Sequence, residues 1–269
     1  MVATDLTQRS EAPFARAISL AHQLGGEIIV AHVVAPGSRS DRDIVERKMA
    51  DLIDRQSAGA GVPIAAKVLQ GSVPSALAEA AQQCGCDLIV TGIARYNSMG
   101  DHILGTAVDH LVRHSKLPVL IVKNTPGRNY DHLLVATDLS NCSRHALVYA
   151  AEMFADPRID LVHVYHVAYK PVLSSKLVAI DVQAEAEEEL QAFIDDPTIP
   201  ADVRSRVNAK AVRGDLTEVI DQRMRADDID LLVLGTHGRS GLVHAMIGSR
   251  AAELLSWVPS DVLMIRESS

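Results

Sequence analysis

The chain repeats itself. Val2-Ala3-Thr4-Asp5-Leu6-Thr7 returns 133 residues later as Val135-Ala136-Thr137-Asp138-Leu139-Ser140, and Asp87-Leu88-Ile89-Val90-Thr91-Gly92 returns 143 residues later as Asp230-Leu231-Leu232-Val233-Leu234-Gly235. The second spacing also relates Gly71 to Gly214, Gly105-Thr106 to Gly248-Ser249, and Val119-Leu120-Ile121 to Val262-Leu263-Met264. Agreement at several separated places in one register points to a duplication, with the second copy lengthened between the two matched blocks. A length of 269 residues fits it, since a domain takes about 150. The expected units are residues 1–124 and 131–269, joined through Lys123–Tyr130, whose Pro, Gly and Asn read as a short linker.

Within each unit, short apolar runs alternate with longer stretches of helical period. In the second unit the pattern predicts a strand over Leu133–Ala136 and a helix from about Cys142, with Ala146, Leu147, Ala150, Ala151 and Phe154 on one face and Ser140 as its N-cap. A strand around Leu161–Val167 follows, then an acidic helix over 184–194, a strand ending near Gly214, a helix over Asp215–Arg225 and the strand Leu231–Leu234. A glycine-bearing loop then leads to a helix starting at Ser249 and a last strand over Val262–Ile265. The first unit follows the same order, although Met1 falls inside what should be its first, central strand. Strands alternating with helices give βα units. The fold class is therefore α/β: two tandem, open, parallel-sheet domains with helices on both faces, Rossmann-like, with the ligand crevice beyond the carboxyl ends of the strands.

Composition excludes several functions. Acidic residues number 34 against 26 basic, for a net charge of −8, and no Lys/Arg run interrupts the balance, so nothing supplies the basic face that duplex binding needs. Aromatic residues are 3% of the chain, too few for a base-stacking surface. Apolar runs have strand length rather than the length of a membrane span, and no secretory leader pattern opens the chain. Three cysteines, Cys84, Cys86 and Cys142, form no disulfide framework. These features read as a soluble cytoplasmic protein with no nucleic-acid or membrane partner. His110 and His114 share a helix face beside Asp109, but no third metal ligand is placed by the sequence, so no metal site is expected.

The loop from Gly235 to Ser249 carries the chemistry. It follows a strand and opens a helix, so its glycines let backbone N–H groups approach an anion, and the helix start adds unpaired donors together with the Ser249 hydroxyl. It is neither a Walker loop nor a G-x-G-x-x-G fingerprint. The spacing G-x2-G-x9-G-[ST], met by Gly235, Gly238, Gly248 and Ser249, together with the Val-Ala-Thr-Asp-Leu-Ser opening of the unit, resembles the universal stress protein family. The resemblance covers essentially the whole chain, twice.

In ATP-binding members of that family the aspartate after the first strand and a valine at the end of the second hold the adenine side, while the glycine loop and its Ser/Thr hold ribose and phosphates. The resemblance thus implies Asp138 and Val167 near the base, and Gly235, Gly238, Gly248 and Ser249 on ribose and triphosphate, with ATP as ligand, alone or with magnesium or manganese. It implies a second, weaker site at Asp5, Val33, Gly92, Gly105 and Thr106. There the middle glycine of the motif is Arg95, which either blocks the phosphates or pairs with them. His237, Arg239 and Arg250 stand where they could touch the nucleotide, but no neighbouring carboxylate marks His237 as a base. The implied function is nucleotide-dependent stress response or signalling, with no catalytic residue and at most slow ATP hydrolysis. The alternative is an ATP-independent scaffold for an unidentified protein partner. The family also pairs last strands between domains, so the two units are expected to form an internal pseudo-dimer, with pairing to a second copy of the chain as an open alternative.

Overall fold

The structure, a computed structural model, describes residues 1–34, 42–57, 59–93, 106–124, 127, 129–166, 175–236 and 249–266. The first half runs through β1 (Val2–Ala3), α1 (Glu11–Leu24), β2 (Ile28–Val34), α2 (Arg42–Gln56), β3 (Ile64–Gln70), α3 (Val73–Gln83), β4 (Ile89–Gly92), α4 (Thr106–His114) and β5 (Val119–Val122). The second half runs through β6 (His132–Thr137), α5 (Asn141–Met153), β7 (Arg158–Tyr165), α6 (Ser175–Ile194), α7 (Ala201–Arg206), β8 (Val207–Arg213), α8 (Leu216–Ala226), β9 (Leu231–Gly235), α9 (Ser249–Trp257) and β10 (Asp261–Ile265).

Local signals set these boundaries. Ser140 caps α5, its Oγ accepting from Ser143 N at 3.2 Å, and Asp215 caps α8 by accepting from Thr217 N at 2.8 Å, so that helix begins one residue after the expected start. β7 runs to Tyr165, where the pairing with β8 ends and Gly214 N donates to Tyr165 O; Val167, the expected end of the strand, lies outside the described residues. α7, a short turn of helix after Pro200, has no counterpart in the sequence expectation; Arg206 at its end donates to the carbonyls of Ala151 and Phe154, which close α5.

All ten strands join one sheet in the order β3-β2-β1-β4-β5-β10-β9-β6-β7-β8. Each half is parallel throughout, and the halves meet where β5 and β10 pair antiparallel, Val119, Leu120 and Ile121 opposite Met264, Leu263 and Val262. Alternate side chains serve opposite faces. Val2, Val30, Leu120, Val135 and Leu161 pack with Phe14, Met49, Leu147 and Phe193 from α1, α2, α5 and α6. Ala31, Val119, Ile121, Leu134 and Val162 pack with Leu77, Leu111, Ile220 and Leu254 from α3, α4, α8 and α9.

The two free edges, β3 and β8, each carry a lysine at mid-strand, Lys67 and Lys210, one repeat apart. A charge in the middle of an edge disfavours pairing with another chain. The double variant Lys67→Val, Lys210→Val is expected to shift the protein toward larger species in size-exclusion chromatography; an unchanged elution profile would contradict this role.

A charged cluster underlies the second half alone. Asp160 on β7 is fully buried and meets Asn208 Nδ2 at 2.9 Å, His132 Nε2 at 3.2 Å, the Arg158 guanidinium at 3.2 Å and Arg223 at 3.6 Å. Burial pushes its carboxyl up, but the Asn208 hydrogen bond and the Arg158 and His132 charges outweigh that and hold it below the usual carboxylate range. A pKa lowered by folding contributes stability above the unfolded value of about 4 that is lost as pH falls through the folded value. Asp160→Asn is therefore expected to lower the urea midpoint at pH 7 and to flatten its decline between pH 4 and 2; a parallel decline would contradict it.

Candidate functional site

The turn after the first strand of each half is built in the same way. Thr-Asp-Leu closes it, with the leucine in the left-handed region, φ 60° at Leu6 and 63° at Leu139. The threonine hydroxyl holds the turn, Thr4 Oγ1 accepting from Leu6 N at 3.0 Å and Thr137 Oγ1 from Leu139 N at 2.9 Å. A leucine in this conformation costs about 1–3 kcal/mol, and strain of that kind gathers where a fold presents a functional group. What it presents here is an aspartate at the carboxyl end of a central strand, Asp5 in one half and Asp138 in the other.

Asp5 Oδ1 accepts from Thr7 N at 2.9 Å, Thr7 Oγ1 at 2.7 Å and Ser10 Oγ at 2.6 Å. Partial burial pushes its carboxyl up, yet the hydroxyls of Ser10 and Thr7 hold it below the ordinary value, so it is ionised near neutrality. Asp138 accepts from Ser140 N at 3.1 Å, and Ser143, in the place of Ser10, turns instead to Thr137 Oγ1 at 2.7 Å.

Opposite each aspartate a strand ends in glycine at a close approach. A Cβ on Gly235 would lie 3.1 Å from Cys142 Sγ and 3.2 Å from Cys142 C and Ser143 N; on Gly92 it would lie 3.0 Å from Pro13 Cγ. The start of α1 therefore rests directly on the end of β4, and the start of α5 on the end of β9. A histidine from the neighbouring strand completes the floor, with His32 Nδ1 2.9 Å from Thr4 O and His163 Nδ1 3.1 Å from Thr137 O. A carbonyl only accepts, so each Nδ1 carries a hydrogen and donates it to the turn.

In the first half these groups line a cavity of about 200 Å³. Asp5, Val33 and Gly92, placed in one site by the sequence, all face it, together with Arg9, Ser10, His32 and an apolar wall of Ala31, Leu77, Val108 and Leu111. Thr106 opens α4, while Arg95 and Gly105 lie outside the described residues. In the second half Asp138 and Gly235 occupy the matching strand ends, and Ser249 opens α9 and is exposed. Val167, His237, Gly238, Arg239 and Gly248 lie outside the described residues. Arg250 makes long ion pairs with Glu253 at 3.4 Å and Asp215 at 3.8 Å, which ties it to α8 and α9.

Strand register adds residues that the sequence reading missed. Ala3 pairs with Ala31 as Ala136 pairs with Val162, so the position of Val33 falls on Val164 in the second half, and His163 matches His32. His-Val occurs at both 163–164 and 166–167, and only the register separates the two.

Comparison with known proteins gives the family. The model of the universal stress protein family matches residues 1–123 and again 129–266. The chain belongs to the universal stress protein family. Universal stress protein A homolog 1 of Coxiella burnetii is 31% identical over 145 residues, covering 51% of this chain and 96% of that protein. A universal stress protein of Mycobacterium tuberculosis is 25% identical over 197 residues, which is 68% of this chain but 62% of the relative's own length. A crystal structure of a universal stress protein from Archaeoglobus fulgidus superposes with a TM-score of 0.66 at 20% identity, covering 100% of this chain and 98% of that one, and shares its fold. Among the described residues no group of three or more metal-ligating side chains gathers, and no helix is long and apolar enough to cross a membrane.

Proposed function

We propose that this universal stress protein binds adenine nucleotides at the carboxyl ends of its central strands, with ATP held most tightly by the second half, and serves stress response or signalling through the bound state. The observation that carries the reading is the duplicated turn. In each half a strained Thr-Asp-Leu segment presents an aspartate opposite a strand-end glycine, at the edge where open α/β sheets take ligands. Asp138 would accept from the amino group of the adenine, Gly235 keeps the backbone open beside the ribose, and Ser249 stands at a helix start suited to phosphate. Bound magnesium or manganese would supply charge neutralisation on the phosphates.

Hydrolysis is expected to be slow. Phosphoryl transfer needs a positioned water or base besides charge neutralisation, and the His163 ring beside Asp138 is engaged through Nδ1 with Thr137 O, which suits it to holding the turn rather than to moving a proton. Mass spectrometry of nucleotide released from the purified protein should detect ATP or another adenine nucleotide, and turnover should stay far below the ordinary enzyme range of about 1 per second and above. Turnover in that range, lost in His237→Ala, would contradict the reading. A preparation free of nucleotide that also gives no binding heat with ATP would favour the ATP-independent scaffold.

A further inference from the structure

The two halves differ at one position inside an otherwise shared geometry. Counted from the common Thr-Asp-Leu turn, Ser10 matches Ser143, and Arg9 therefore matches Cys142. Cys142 is buried, with its Sγ 3.7 Å from Ile265 O and against Gly235. Arg9 is exposed and lines the first half's cavity, and among the described residues its guanidinium meets no carboxylate or carbonyl.

A guanidinium without a counter-charge beside an apolar cavity is an anion receptor, since its planar fork can give two parallel hydrogen bonds to a phosphate or carboxylate. Beside the hydroxyls of Thr4, Ser10 and Thr91, the cavity is lined by Asp5 and His32. The side-chain hydrogen bonds to Asp5 all fall on Oδ1, which leaves Oδ2 as an acceptor, and the contact of His32 to Thr4 O is made through Nδ1, which leaves Nε2 toward a ligand. Ala31, Val33, Leu77 and Leu111 wall the remainder. A matching ligand has an apolar body of modest size, hydroxyl or amino donors, and one negative group held close to them. Those are the features of a nucleoside monophosphate.

We infer that Arg9 is a specificity-determining residue that turns the first half's cavity toward a nucleoside monophosphate, while the second half, with Cys142 in that place, lacks the preference. This rests on the reading of the strand ends as nucleotide sites. It extends that reading by giving the halves different ligands and by placing the selecting charge on the first turn after β1 rather than on the loop after β4.

Calorimetry on the full chain with AMP and with adenosine tests it. Arg9→Cys is expected to weaken AMP about ten-fold, the size of one charge-assisted hydrogen-bonded contact, and to leave adenosine unchanged. Asp5→Ala should weaken both ligands, which locates the site; the thermal melt of Arg9→Cys should match the parent because Arg9 is exposed, while that of Asp5→Ala falls with the loss of the bonds from Thr7 and Ser10, so its binding is read well below its melting temperature. An equal loss on AMP and adenosine, no loss on either, or AMP binding abolished by Asp138→Ala instead of Asp5→Ala would overturn the inference. ATP binding that depends on Asp138 while AMP ignores Arg9 sinks this inference alone; absence of binding by every nucleotide sinks the underlying reading with it.

Discussion

Asp261→Ala is expected to lower the stability of the whole chain by about 3–5 kcal/mol, the cost of removing one partner from a buried charge pair. Asp261 begins β10 and is 2% exposed, at the seam between the halves. Its Oδ2 accepts from Tyr130 Oη at 2.6 Å and lies 3.3 Å from Arg16 Nε, while its Oδ1 accepts from Lys123 N at 2.8 Å and Asn124 N at 3.3 Å. One carboxylate thus ties α1 of the first half, both ends of the linker and the last strand of the second half together. The Arg16 guanidinium also lies 4.1 Å from the Tyr130 ring centroid, and that ring meets Phe154 edge-on at 5.6 Å. Burial and the Asp261 carboxylate, against the pull of Arg16, push the Tyr130 hydroxyl well above its ordinary value. Without Asp261 the Arg16 charge and the Tyr130 hydroxyl stay buried without that partner. Urea unfolding measures the loss, and the double variant Arg16→Met, Asp261→Leu should recover part of it, because apolar side chains then replace both members of the buried ion pair. Additive losses in the double variant, or a loss in Asp261→Ala below about 1 kcal/mol, would mean that the seam rests on β5–β10 pairing alone.

Gly235→Ala is expected to cost about 1–3 kcal/mol, the range for overpacking a close-packed site, and to weaken ATP binding by the second half. Two of the three atoms that its Cβ would meet belong to the backbone at the start of α5, at 3.2 Å, and cannot rotate away. Relief requires α5 to shift, and the turn bearing Asp138 is continuous with α5 through its Ser140 cap. Gly92→Ala meets only a ring carbon of Pro13 within 3.5 Å, so its effect should be smaller. Adding Cys142→Ala to Gly235→Ala removes the sulfur contact and leaves the backbone contacts, so rescue should be partial. Thermal melts and ATP titration of the variants check the order; equal effects at Gly92 and Gly235 would contradict the role given to α5.

The sequence repeat made most of this architecture legible. Matching blocks, 133 residues apart at the first strand and 143 apart further on, placed Asp5 with Asp138 and Gly92 with Gly235, and the structure sets each pair at equivalent strand ends. The same symmetry hid what is unique to one half. Asp261 stands where the first half has Pro118, and Asp160 where the strand register gives Ile29, so neither shows as a shared feature. Both are charges at strand positions that satisfy themselves through residues far along the chain, and no local pattern announces such partners. Val164 was obscured for a different reason. Two His-Val pairs stand three residues apart, and their apolar alternation carries the apparent strand past Tyr165, where the ladder to β8 ends. Arg9 lay in plain view, but an arginine one turn after an aspartate looks like a solvated surface residue until the fold brings the ends of β2 and β4 around it.

ATP titration of the full chain by calorimetry tests the central claim most directly, with Asp138→Ala and Asp5→Ala as the two variants. The expected result is one tight site per chain, weakened ten-fold or more by Asp138→Ala, about the worth of one charge-assisted hydrogen bond, and retained in Asp5→Ala. No binding heat in the parent protein, or a tight site that survives Asp138→Ala, would contradict the assignment of ATP to the strand ends of the second half.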